Sequence, residues 1–190
     1  MKILAIDTCS NHFSVGVSQN NILTSKIIEL EPNKQAERLV LSIESTLLQS
    51  KISYQDLDAV TLTIGPGSFT GIKMGLAAAY AISAVQSIPC IGFSTLEVLA
   101  EQLGGNCTMT VAAGRGRYYC QSFDQNNEPA NQIQLLESTE ISKLDTTLKG
   151  DFISNQVADI EILCKLAYAK LRTGQMIELP QPIYSQQTQN

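Results

Sequence analysis

The chain reads as a mixed α/β protein whose architecture is used twice, the second time in reduced form. Short β-rich runs alternate with helical stretches instead of being grouped, which favours a layered α/β fold. A three-strand meander opens the chain, and strand, turn, strand, loop, strand recurs after Gly104-Gly105-Asn106. Hydrophobic residues make up 44% of the chain and charged residues 16%, a balance that supports a packed core and not a disordered chain.

Lys2 to Ile6 is a short apolar run suited to a buried strand, and Asp7-Thr8-Cys9-Ser10-Asn11 is turn chemistry. Phe13 to Val17 alternates with a period of two, and Ile22 to Leu30 continues as a third strand after the Gln19-Asn20-Asn21 turn. Pro32 is expected to end that strand. A helix is expected from about Lys34 to Gln49, with Ala36, Leu39, Val40, Ile43 and Leu47 on one face. Leu41 and Leu48 fall on a different face. Ser53 is a candidate cap for a short helix, and Ala59 to Ile64 a candidate central strand. The run Gly65-Pro66-Gly67-Ser68-Phe69-Thr70-Gly71 leads into a helix from about Gly71 to Gln86. Pro89 to Phe93 is a further strand, and Ser94 caps a helix through about Leu103.

Gly104-Gly105-Asn106 is the boundary between the two halves, giving subdomains over 1–103 and 107–179 and a tail over 180–190. In the second half Thr108 to Ala112, Arg117 to Phe123 and Ile133 to Leu136 read as strands, and Ala158 to Arg172 as a helix. Glu137 to Asn155 is weakly patterned. The tail from Pro180 to Asn190 is expected to be extended and loosely held.

The net charge is −5, and the 13 basic residues form no cluster, so any RNA is expected to be held mainly by another subunit. The N-terminus reaches Asp7 too early for a signal peptide, no apolar run is long enough to cross a bilayer, and the five cysteines lack a Cys-x-x-Cys pair. A cytosolic protein with reduced thiols, no membrane association and no metal site of its own is the expectation. The single histidine, His12, prevents a site needing two histidines from being built within the chain.

Asp7 closes the first strand ahead of Thr8 and Cys9. Such a carboxylate can orient a hydrated cation beside a phosphate, or simply fix a β-turn. The loop from Gly65 to Gly71, with Gly65 and Gly67, can turn its amides towards an anion or serve as a tight strand-to-helix connection. It is neither a Walker loop nor G-x-G-x-x-G. Gly71, Gly75, Ala78 and Ala79 give the following helix a small-residue surface for close helix packing. With Leu41 and Leu48 they are the candidate interface to a second polypeptide, the alternative being a contact within the chain. Cys9 with His12 lacks a third group to make a catalytic dyad.

Ile3-Leu4-Ala5-Ile6-Asp7-Thr8, Gly65 to Gly75, Ala36-Glu37-Arg38-Leu39, Asp56-Leu57-Asp58-Ala59 and Ile88 to Glu97 together resemble the TsaB (YeaZ) family over about residues 1–103. The resemblance implies the duplicated actin-like, ribonuclease H-like (ASKHA) fold. It also implies a non-catalytic partner subunit of TsaD in threonylcarbamoyl transfer to the adenosine beside the tRNA anticodon. The ATPase TsaE joins the larger complex, tRNA is met only through the complex, and a homodimer through the same helices is compatible with it. ATP or ADP and metal belong on the partner or at the subunit boundary, with none of the chain's own. The family interface uses the first two helices, which match Lys34 to Gln49 and Gly71 to Gln86. The chain departs from the family pattern at Gln35-Ala36-Glu37-Arg38 and at Ala112, where many members carry an acid. The rival readings are an actin-fold ATPase or kinase using Asp7, Thr8, Gly65 and Gly67, and a glycoprotease-like peptidase.

Overall fold

The computed structural model describes residues 1–10, 13–29 and 35–184. The expected stop at Pro32, the His12 side of the Cys9–His12 pair and the tail beyond residue 184 lie outside the described residues. The first sheet holds β1 (Lys2–Asp7), β2 (Phe13–Gln19), β3 (Ile22–Glu29), β4 (Ala59–Thr63) and β5 (Cys90–Phe93), in the order β3-β2-β1-β4-β5. The meander β1-β2-β3 is antiparallel, while β4 and β5 run parallel to β1.

Alternation along β1 assigns the layers. Leu4 and Ile6 pack in one cluster with Leu39, Ile43 and Leu47 of α1 (Gln35–Gln49) and with Ile72, Leu76 and Ala79 of α2 (Phe69–Gln86). Ile3 and Ala5 point the other way, onto α5 (Ile160–Arg172), where Ile160, Leu163, Cys164 and Ala167 meet them. The whole of Ile3 to Ile6 is therefore sealed, as expected for a central strand between two helical layers.

The second sheet holds β6 (Cys107–Gly114), β7 (Arg117–Phe123), β8 (Gln134–Glu137) and β9 (Leu148–Gly150), in the order β8-β7-β6-β9. Again the first three strands are antiparallel and the fourth is parallel to the first of them. The second copy ends one strand short, and the place of α1 is taken by the four-residue α4 (Ser138–Ile141). α4 and β9 occupy the stretch that showed no pattern in the sequence.

Packing departs from a division into 1–103 and 107–179. α3 (Thr95–Leu103) lies in the first half of the chain, and its Leu96, Leu99 and Ala100 build the core of the second sheet with Met109, Val111 and Phe123. α5 lies in the second half and covers the first sheet. Each lobe thus takes a helix from the other half of the sequence. The tail also differs from expectation over 180–184: Ile183 N donates to Ile64 O at 2.8 Å, Tyr80 OH donates to Pro180 O, and the Tyr184 ring packs on Phe69 at 5.1 Å. These residues form a strap tied to the first lobe.

Candidate partner-binding face and interlobe cleft

The loop from Gly65 to Gly71 lies directly on the turn after β1. Ser68 N donates to Cys9 O at 2.6 Å, Ile72 N to Ser68 O at 2.8 Å and Gly71 N to Ser68 Oγ at 3.2 Å, the last forming the α2 cap. A side chain at Gly67 would run into the Cys9 carbonyl oxygen, and one at Gly71 into that of Thr8. The Thr8 hydroxyl donates to Gly71 O at 2.7 Å. The loop's glycines therefore admit the chain's own backbone, and these loop amides are committed to protein acceptors.

Asp7 is buried, and its Oδ1 accepts from Thr63 Oγ1 at 2.5 Å and Cys9 N at 3.1 Å, which fixes the turn. Asp7 and Gly67 line a cleft of about 520 Å³ between the lobes, together with Ser68, Tyr119 and Asp151. Thr8 and Gly65 are not among its lining residues. Asp151 stands where the sequence shows no pattern, and its carboxylate accepts from Ala112 N and Gln156 N, both at 2.9 Å. It brings a carboxylate to the strand end where Ala112 has none. Among the described residues lining the cleft there is no lysine or arginine. The amides of Ser68 and Gly71 are thus engaged within the chain, and the carboxylates of Asp7 and Asp151 both line the cleft. Cys9 is buried at the cleft floor. Burial, and next to it the Asp7 charge, push its thiol up to about 12, so it stays protonated and is unsuited to nucleophilic attack.

The helical surface divides the predicted interface residues. Leu41 and Leu48 project from α1 with 61% and 78% of their surface exposed, and Val40, expected on the core face, is exposed as well. Gly71, Gly75 and Ala79 are a correction: all three are buried inside the chain. A side chain at Gly75 would collide with Thr8 Oγ1, so Gly71 and Gly75 answer to the turn after β1 and not to another polypeptide. Ala78 is half-buried against the first core. The outward stripe of α2 is instead Lys73, Ala77, Ala81, Ala84 and Val85, the last 79% exposed. Sequence reasoning found the helix and missed its outward face. The signal was present, because Lys73 marks the solvent side and Ala77, Ala81 and Ala84 follow it at helical spacing.

Two lobes with the same strand order, joined by a cleft, define an actin-like (ASKHA) protein. A family model described as "TsaD: tRNA N6-adenosine threonylcarbamoyltransferase" matches residues 21–187. The TsaB protein of Buchnera aphidicola subsp. Schizaphis graminum is 31% identical, over 77% of this chain and 72% of that protein. The TsaB protein of Escherichia coli strain K12 is 34% identical over 53% of this chain and 43% of that protein, so less than half of that relative is matched. YeaZ from Pseudomonas aeruginosa superposes with a TM-score of 0.78 at 19% identity, covering 96% of this chain and 99% of that one, a likeness of fold. The chain belongs to the TsaB (YeaZ) family of tRNA threonylcarbamoyladenosine biosynthesis proteins. Among the described residues no helix is long and apolar enough to cross a membrane.

Proposed function

We propose that this chain is a non-catalytic subunit that binds a TsaD homologue and favours its competent conformation during threonylcarbamoyl transfer to tRNA. The observation that carries the reading is the exposed apolar outer surface of α1 and α2, led by Leu41, Leu48 and Val85. Large apolar side chains held this far into water on adjacent helices are the chemistry of a docking face. Burying Leu48 alone would contribute roughly 2 kcal/mol to association. Such a partner changes TsaD only through different affinity for its conformations. ATP or ADP and any metal belong, on this reading, to the partner or to the subunit boundary, which is supported by the lack of lysine and arginine among the described residues lining the cleft. TsaE joins as a further component, and tRNA is met through the assembly.

The test is size-exclusion co-elution with the TsaD homologue from the same cell, for wild type and Leu48→Glu. The wild type is expected to co-elute and to stimulate tRNA modification. Leu48→Glu is expected to lose both while unfolding at the wild-type urea midpoint. Co-elution by the variant sinks the interface. Micromolar binding of Mg-ATP by the isolated chain in calorimetry would favour an ATP-using enzyme instead.

A further inference from the structure

We infer that the tip of the β6–β7 hairpin, Gly114-Arg115-Gly116-Arg117, is this chain's own contact with RNA, made to the phosphodiester backbone. This rests on the assembly proposed above, inside which the hairpin meets tRNA. β6 and β7 are joined by the two-residue turn Arg115-Gly116, closed by the pairing of Gly114 with Arg117. Both turn residues have positive φ, 54° and 73°, as in the primed turns whose twist suits a hairpin. Glycine takes this conformation freely and arginine takes it at a cost, so the turn holds Arg115 at a defined place against its preference. Nothing of the protein packs on the tip. A side chain at Gly114 would meet open space, and one at Gly116 would find only Ser138 Oγ, at 3.9 Å. A polymer can therefore come right up to the main chain. Ala112 and Ala113 of β6 line the interlobe cleft, so the hairpin rises from its rim.

Charge decides what the tip can hold. Several other cations are already engaged within the chain: Lys2 pairs with Asp56 at 3.0 Å, Lys165 with Glu161 at 2.8 Å, and Lys149 donates to Leu103 O at 2.6 Å. Arg115 and Arg117 are exposed, and among the described residues neither guanidinium has an acid or a hydrogen-bond acceptor as partner. Glu137 stands opposite Arg117 in the register and forms no ion pair with it. Two guanidinium forks on one short turn match the oxygens of phosphates, which they hold in bidentate fashion. The tip is open and neither arginine lines the cleft, so a single small anion finds no enclosure there. A backbone with repeated phosphates reaches both arginines at once and gains by releasing its counterions. Such contacts position an RNA without reading its sequence.

The test has two arms. In the first, the isolated full chain is titrated with tRNA at low salt and followed by NMR of the arginine Nε–H and glycine amide signals. Those of Gly114, Arg115, Gly116 and Arg117 are expected to shift and to return as salt is raised. With Arg115→Gln and Arg117→Gln combined, the glycine signals are expected to stay in place. In the second arm, the assembly with the TsaD homologue binds labelled tRNA over a range of salt. Each substitution is expected to make the slope of log K against log salt shallower by about 1, with co-elution and urea midpoint as in the wild type. Arg172→Gln, in the last turn of α5, is the control and is expected to leave the slope unchanged. Absence of shifts at the tip, an unchanged slope in the double variant, or an equal loss from Arg172→Gln overturns the proposal. Loss of co-elution by the double variant marks the tip as a protein contact and overturns it too. Failure of the wild-type chain to co-elute refutes docking to TsaD instead, and the first arm still decides the hairpin.

Discussion

Thr8 is where the first lobe is drawn tight. Its carbonyl oxygen excludes any side chain at Gly71, and its hydroxyl excludes one at Gly75. Gly75→Ala is therefore expected to cost about 1–3 kcal/mol of stability, the range for overpacking a core. Adding Thr8→Ala should recover most of the loss, because the colliding atom is then gone. The same addition should not rescue Gly71→Ala, whose collision is with main chain. Urea unfolding of the single and double variants measures this, and strict additivity at position 75 would refute it. The glycine spacing was plain in the sequence, but the face it served was not. A close approach within one chain and one between chains leave the same small-residue pattern. The deciding atom lies 63 residues upstream of Gly71.

At the scale of the element, α5 shows how β2 was shaped to receive it. Ser14, Gly16 and Ser18 all point towards α5, since Phe13, Val15 and Val17 face α1. The Ser14 hydroxyl is sealed in without a hydrogen-bond partner among the described residues. Removing it should help: Ser14→Ala is expected to raise stability by about 1 kcal/mol, read as a higher urea midpoint. A lower midpoint would show that the hydroxyl is satisfied. Long or clearly bounded elements were legible. α1, α2 and α3 appeared within a few residues of their observed limits, and Ser94, expected as the cap of α3, does cap it, in a box completed by Glu97. α4 and β9 were not legible, because four and three residues are too few to show either a helical or a strand period. Asp151 was lost with them. Leu41 and Leu48 were found because an apolar pair off the core face breaks a pattern, and such breaks are visible without a structure.

The whole molecule carries five free cysteines, all buried. Burial pushes Cys9, Cys90 and Cys164 up to about 12 and Cys120 to about 11. In the unfolded chain the same thiols ionise near 9. Their contribution is thus complete below about pH 9 and is lost as pH rises through the folded values, by up to about 1.4 kcal/mol per pH unit for each thiol. The urea midpoint is expected to fall between pH 8 and pH 10, and an unchanged midpoint would contradict the burial. The duplication was legible as a repeated order of strands. The traffic of helices between the halves was not, because nothing local in α3 or α5 says which sheet lies beneath it.

That exchange has a thermodynamic outcome. Neither lobe can melt while leaving its neighbour whole, since unfolding one strips a roof from the other. Differential scanning calorimetry should record a single peak whose calorimetric and van't Hoff enthalpies agree, as for an indivisible domain. Two peaks would mean that the borrowed helices bind their hosts only loosely.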